Sequence, residues 1–583
     1  MAKAVTLVGG HFSFKRKLDG TLDNRKVVCI HCKEELAYHR SSSSLKYHLK
    51  AKHITGSNVT SNLTSLVQQP TLDQCIPRRV NTHTSARLTT SIAKWIAKDC
   101  RPVNIVTDQG LKEVIRIATS DPSFELPSRS TIMPRINKLY INEKKCKAEL
   151  LSQSKSVALT GDHWTSVGQH NYLGTTAHLI DKNWHMHSFA LTVLKSEERH
   201  FAEACAEQFI QVAKEWEIES KITTVGTDSA RNMIAASRLL PFEHMPCIAH
   251  IIQRTIVMAL REGGFDGVLV KCRKLVGHFK HSPSNMIDLK AQQIAHGLGE
   301  ESLVQDVLTR WHSTLEMVSR ILRNKDPLMA TLAHQNHKLT LLTSAEFDKL
   351  ARLEKLLEPC RYVMELLGGE KYVSCSVVLP ALCHLALKMA VTEDDPAYVV
   401  RFKDAFKEDL TKRKENTNIA WLKIASALDP RFKNLKFIPK AERAEVWETL
   451  DKMLKEEEPS PHSSEAGSGP QKKKICLLLM GSDTESDDET SLESSPLARY
   501  RAEPSISLEQ CPLQWWSAHS RSHDKLATIA LKYLPTPAST VPCERLFSLA
   551  GHIVHKKRAA LAPENVNKLV CLNFLDYGLN GEK

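Results

Sequence analysis

The chain has 583 residues, 42% of them hydrophobic and 25% charged, with a formal net charge of +13. That length accommodates three or four domains with sizeable cores. No apolar run approaches eighteen residues and no charged-then-apolar leader opens the chain, so neither membrane insertion nor secretion is expected. The fifteen scattered cysteines, an odd number, point to reduced thiols in a nuclear or cytosolic setting rather than to a disulfide framework.

Taken in chain order, residues 1–55 carry eleven Lys or Arg against four Asp or Glu, a local +7 that is more than half of the total excess. The same segment holds Cys29-x2-Cys32 and His48-x4-His53, fifteen residues apart. Zinc prefers four such donors in a tetrahedron, and two close pairs joined by a hairpin and a helix can supply them while fixing a module with little core. In a chain with 15 Cys and 26 His the alternative is chance, but four ligands in order at these gaps are much rarer than a lone pair. Val27–Ile30 is expected to enter the zinc knuckle as a strand, and Ser41–Ser44 to start a helix. His48 and His53 lie about 140° apart around a regular helix, so the last turn is expected to distort. Arg40, Lys46 and Lys50 are the candidate contacts to double-stranded DNA; each alone also reads as a solvated surface charge. The gap between the pairs exceeds the twelve residues usual for a C2H2 finger. The segment DGTLDNRKVVCIHCKEELAYHRSSSSLKYHLKAKH instead resembles a BED zinc finger, with Phe12 and Phe14 where that family has Trp or Tyr followed by Phe.

Residues 56–84, rich in Ser, Thr, Asn and Gln, read as a linker, and 85–150 as a small helical DNA-binding or dimerisation domain. Leu88, Ile92, Trp95 and Ile96 mark one helix face, and Leu111, Val114, Ile115 and Ile117 the next. The period then changes. SVALTGDHWTS, NYLGTTAHLI and WHMHSFALTV are three consecutive strand-like runs, followed by a helical HFAEACAEQFIQVAKEW and a fourth strand, ITTVGTDSA, predicting a mixed α/β sheet over 151–264. Asp162 is expected just past the first strand and Asp228 just past the fourth, where two carboxylates can converge on divalent ions. Each taken singly also reads as a turn residue or helix cap.

LTGDHWTS, GTDSARNM, PCIAH, TRWHST, ALDPRFK and STVPCERLFSLAG, six motifs in one order, resemble the hAT superfamily of cut-and-paste DNA transposases. With the finger, the resemblance covers nearly the whole chain and is nearest to vertebrate BED zinc-finger proteins derived from such transposases. It implies a multidomain α/β plus α fold: an N-terminal BED finger, a helical domain, an RNase H-like core interrupted by a large helical insertion over 265–455, and a hAT dimerisation region within 506–583. It implies a catalytic triad of Asp162, Asp228 and Glu544, which would hold Mg2+ or Mn2+ in an active enzyme. Arg310-Trp311 matches a motif that positions the cleaved DNA end in active relatives; without the motif, Trp311 reads as a core aromatic. Cys247 and His250 are expected near the site, as structural residues or half of a second zinc centre.

Residues 456–505 combine Ser, Pro and opposite charge blocks, and disorder is expected there. Inside them Ile475-Cys476-Leu477-Leu478-Leu479, followed by Asp483, Glu485, Asp487, Asp488 and Glu489, resembles a SUMO-interaction motif, with a buried strand or helix end as the alternative. In the last segment Leu526, Ile529, Ala530, Tyr533, Val566, Leu569, Val570, Leu572 and Leu575 suit either an intersubunit or an internal core. The reading that unites these features is a nuclear, zinc-dependent, homodimeric DNA-binding regulator. The alternatives are an active transposase and a SUMO-pathway adaptor.

Overall fold

The computed structural model describes residues 6–17, 20–53, 79–166, 169–196, 201–307, 310, 312–456, 495–554 and 561–573. The chain divides into two compact units, Met1–Arg79 with Ser120–Pro122, and Val80–Thr119 with Ser123–Lys583.

In the first unit β1 (Thr6–Leu7), β2 (Phe12–Arg16), β3 (Leu22–Cys29) and β4 (Glu35–Ala37) form an antiparallel meander, and α1 (Ser43–His53) follows. Its core is Phe12, Val27, Cys29, Leu45 and Leu49, with Phe14 edge-on to Tyr38 at 5.5 Å. Five buried side chains are too few to hold such a module by burial alone, which leaves a structural role for a bound metal.

The second unit begins with α2 (Thr82–Lys98), α3 (Gln109–Thr119) and α4 (Arg129–Gln153). The Asn81 side chain accepts from the Thr84 amide at 2.7 Å and starts α2 inside the stretch read as linker. The chain continues through β5 (Val157–Thr165), β6 (Asn171–Ile180), β7 (Met186–Ser196), α5 (Ala202–Glu215), β8 (Ile222–Thr227), α6 (Arg231–Ser237) and β9 (Glu243–Pro246). The sheet order is β7-β6-β5-β8-β9, an antiparallel meander joined to two parallel strands. All four strand runs read from the sequence are present. β9 was not among them, because four residues give too short an alternation to register.

Helices then follow: α7 (Ile248–Glu262), α8 (Asp266–Lys280), α9 (Pro283–Ala295), α10 (Ser313–Arg323), α11 (Lys325–His334), α12 (Ser344–Leu367), α13 (Val378–Lys388), α14 (Ala397–Lys414), α15 (Ile419–Ala427) and α16 (Lys440–Glu456). After residue 494 come α17 (Pro496–Ala502), α18 (Pro512–His519), α19 (Asp524–Tyr533), α20 (Val541–Ile553) and α21 (Pro563–Asn573). The disorder expected up to 505 is therefore corrected at its end: α17 is ordered by burying Leu497 and Tyr500, whose hydroxyl donates to the Ala427 carbonyl at 3.0 Å.

Three apolar cores organise this unit. One face of the sheet packs on α5 through Leu159, Leu173 and Phe209. The opposite face, through Tyr172, Ala190 and Val193, packs on α2, α4, α20 and α21. The third core holds the helical insertion together with α18 and α19. Two sequence expectations resolve here. The helices of 85–150 are not a free-standing domain, since Ile92, Ile96, Ile132 and Ile136 share a core with Val566, Leu569 and Val570 from the far end of the chain. The apolar positions of the last segment are internal, with Leu526, Ile529, Ala530 and Tyr533 buried in the insertion core; Leu575 lies outside the described residues.

Candidate functional site

In the finger, β3 delivers Cys29 into a tight turn, where the Cys29 amide donates to Glu34 O at 3.0 Å and the Lys33 amide to Cys29 O at 2.9 Å. This places Cys32 opposite α1. Cys32 Sγ lies 3.2 Å from His48 Nε2 and Cys29 Sγ lies 3.6 Å from His53 Nε2. All four donor atoms fall within 4.8 Å of one another. A tetrahedral zinc with ordinary Zn–S and Zn–N bonds requires S···N separations of about 3.6 Å, so the donor set fits the ion. The expected distortion of the last helical turn is absent: α1 is α-helical through His53, and the reach of the two imidazoles closes the angular gap.

Three neighbours of this group were not singled out from the sequence. Glu34 lies 2.6 Å from Lys52 Nζ and 3.8 Å from His48 Nδ1, a carboxylate beside the ring edge that faces away from the cysteines. Its signal was its place two residues beyond Cys32. His31 Nε2 lies 2.7 Å from His11 Nδ1 at the edge of the group. Tyr47 is 76% exposed and stands on α1 between Lys46 and Lys50, themselves exposed. Arg40 is exposed and has a left-handed φ of 60° just before α1.

In the second unit the acids are brought together by the packing of α20 on the sheet. Asp162 lies inside β5 rather than past its end, paired in register with Gly174 of β6. The strand continues beyond the acid because the ladder with β6 extends to Thr165 and Asn171. A Cβ on Gly174 would come within 2.6 Å of the Phe547 ring, so glycine is what lets α20 approach β6. Glu544 precedes Phe547 by three positions and shares its helix face, which directs it toward the Asp162 side of the sheet. Beneath it, Thr160 Oγ1 lies 3.2 Å from Cys543 Sγ, fixing α20 to β5. On the opposite face a Cβ on Gly161 would meet the Phe209 ring at 2.2 Å, so α5 lies equally close.

Asp228 follows β8 directly, and its Oδ1 accepts from the Ala230 amide at 3.1 Å. His250, in the first turn of α7, places Nε2 3.7 Å from Glu544 Oε1. Burial and the Asp228 charge push Asp162 up to about 8, opposed by His250 and by the His163 amide, which donates to Asp162 Oδ1 at 2.7 Å. Burial and Asp228 also raise Glu544, again opposed by His250. The three carboxylates and one imidazole thus share a single electrostatic neighbourhood, while among the described residues only the finger's four donors form a metal-sized group within 4.8 Å. Cys247 faces inward. Its Sγ accepts from the Thr540 amide at 3.2 Å, the Ile248 amide donates to Ala538 O at 3.0 Å, and burial pushes the thiol up to about 11. Cys247 therefore joins the start of α7 to the segment that delivers Glu544.

Arg310 is exposed in the turn before α10, held by its own amide to Val307 O at 2.8 Å and by Ser313 Oγ to its carbonyl at 2.9 Å. Trp311 and Ile475–Leu479, with Leu477 and Leu478 among them, lie outside the described residues.

Four family models match the chain: a BED zinc finger over residues 10–64, the ZBED1 RNase-like domain over 160–253, the ZBED1 RNase-like helical domain over 245–356 and the hAT family C-terminal dimerisation region over 496–575. The chain carries a BED zinc finger, RNase-like domains and a hAT dimerisation region, and its homologues are hAT transposases and zinc finger BED domain proteins. Among them, a putative AC transposase of Zea mays is 26% identical over 81% of this chain and 63% of its own length. The putative transcriptional regulator tpeD of Talaromyces stipitatus is 23% identical over 95% of this chain and 69% of its own. Zinc finger BED domain-containing protein 4 of Homo sapiens is 22% identical over 98% of this chain and 52% of its own. The chain therefore spans less than two thirds of the maize and human proteins.

Proposed function

We propose that the protein is a nuclear, zinc-dependent, sequence-specific DNA-binding regulator of hAT-transposase descent that acts as a homodimer. The observation that carries this reading is the convergence of Cys29, Cys32, His48 and His53 within 4.8 Å in a segment with a local +7. Bound zinc would lock α1 onto the β3–β4 hairpin, and the exposed face of α1 would then present Lys46, Tyr47 and Lys50, flanked by Arg40, to phosphate and groove. Two fingers on one dimer gain effective concentration at paired half-sites. The name of the tpeD relative supports a regulatory role. Binding selection on random duplexes tests the proposal: an enriched site whose capture disappears on chelation supports it, and no enrichment removes it.

A second reading rests on the acidic cluster. Asp162, Asp228 and Glu544 would hold divalent ions, with His250 beside Glu544 available to orient that carboxylate or move a proton. When bound, such ions supply activation of water or a 3′-hydroxyl and stabilisation of the leaving oxygen. The raised Asp162 and Glu544 fit a pocket that lacks enough positive charge of its own. The discriminating experiment is cleavage and strand transfer on selected DNA ends with Mg2+ or Mn2+, with Asp228→Ala as control. Metal-dependent products lost in the control establish a transposase. Tight zinc-dependent binding without products leaves the regulator.

A further inference from the structure

A groove in the second unit lies away from the acidic cluster, between α16, α17 and the turn at Lys433–Asn434, with a cavity of about 930 Å3. Lys433, Lys440, Arg443 and Arg501 line it. Their recorded polar partners are backbone carbonyls rather than carboxylates: Lys433 Nζ donates to Tyr500 O at 2.7 Å, and Arg443 Nε to Ile438 O at 3.0 Å. The Arg501 guanidinium lies over the Trp447 ring, 5.1 Å from its centroid. Of the two acids among the described lining residues, Asp451 is already paired with Lys455 at 2.6 Å, which leaves Glu448 beside Lys433, Lys440, Arg443 and Arg501. The groove is therefore built for an anion. Lys433 is 2% exposed and fixed, the aromatic platform holds Arg501, and the remaining donors face open space large enough for an extended peptide.

The chain carries the complementary charge next to this groove. Asp483, Glu485, Asp487, Asp488 and Glu489 fall between its two helical walls, α16 ending at Glu456 and α17 beginning at Pro496. Ser495 lines the groove, and Glu489 precedes it by six positions, roughly 20 Å of fully extended chain at most. A segment tethered so closely is held at an effective concentration on the order of millimolar. Free acidic peptides would have to exceed that concentration to compete.

We infer that the basic groove between α16 and α17 is an intramolecular docking surface for the acidic run 483–489 of the same chain. Docked, the run neutralises the groove and withholds its own acids from basic partners, so that one contact silences two charged surfaces. Phosphate on Ser482 or Ser486 would add charge to the run and tighten the contact.

The test uses the full chain in two forms, the natural sequence and one carrying Asp483→Asn, Glu485→Gln, Asp487→Asn, Asp488→Asn and Glu489→Gln. A fluorescein-labelled peptide of residues 480–492 is titrated into each at low salt and followed by anisotropy. The expected result is binding to the neutralised chain, at least tenfold weaker binding to the natural chain, and loss of binding when Lys440→Glu and Arg501→Glu are added to the neutralised chain. Both of those side chains are exposed, so their exchange leaves the fold intact. Equal binding to the two forms overturns the inference. So does binding that survives the groove substitutions and is lost when Lys472–Lys474 are replaced, or when the finger is disabled by Cys29→Ser. An unlabelled amide version of the peptide that competes as well as the acidic one also overturns it.

Discussion

In the finger, Cys29 and His53 are 24 positions apart and meet within a module whose core is five side chains; in the RNase-like body, Thr160 and Cys543 are 383 positions apart and meet because two sheet faces are packed by helices. The finger brings four Cys and His donors together around a core of five side chains, and on the proposed reading an ion holds that geometry. The body takes its geometry from apolar packing on both sheet faces, with close approach at Gly161 and Gly174. Function that depends on the finger should therefore be lost by removing metal, while the body should respond only to changes in packing or buried charge.

The largest effect that separates the two is expected from Cys29→Ser or from zinc chelation. DNA binding should fall to its non-specific level, on the order of 10³-fold, while the main unfolding transition of the body stays in place. Coupled loss of both, measured by anisotropy and calorimetry on one sample, would contradict the division. Next in size is Gly174→Val, which sets a side chain against Phe547 and should destabilise the body by about 1–3 kcal/mol in urea unfolding, with zinc content unchanged.

A third prediction concerns pH. His178, in the body, is pushed down to about 3 by burial, whereas an unfolded histidine titrates near 6.5. The unfolded chain then binds a proton that the folded chain refuses, so this stabilisation is full above about pH 6.5 and is lost progressively as pH falls toward 3. His178→Gln should shrink the difference in urea midpoint between pH 7 and pH 5; an unchanged difference would remove His178 as its source. The smallest effect belongs to the finger surface. Lys50→Ala should weaken binding a few-fold across all DNA sequences and reduce the salt slope by about 1, and Tyr47→Ala should weaken binding without changing that slope.

What the sequence revealed follows the same division. The four clustered Cys and His side chains of the finger were legible because their spacing is local, and the strands of the central sheet because they are short apolar and β-branched runs, buried on both faces and set apart from the helical periods around them. Asp162 was misplaced past its strand because a Gly-Asp pair has the chemistry of a turn, and only the ladder to β6 shows the strand passing through it. The helices near residue 90 and residue 135 looked like a separate domain because nothing local announces that their apolar faces are completed by α21. Glu34 and Tyr47 were overlooked because a single charged or aromatic residue in a basic finger carries no period, and their roles follow only from distance and exposure.

The sharing of one core by α2, α4 and α21 also sets the schedule of folding during synthesis. Ile132 and Ile136 leave the ribosome more than four hundred residues before Val566 and Leu569, an interval of roughly 20–80 s at ordinary translation rates. Throughout that time the sheet lacks one covering layer, and four isoleucines wait without their partners. The nascent chain is thus a natural client for chaperones, and a messenger truncated before α20 would yield a product that keeps its finger but never closes its core.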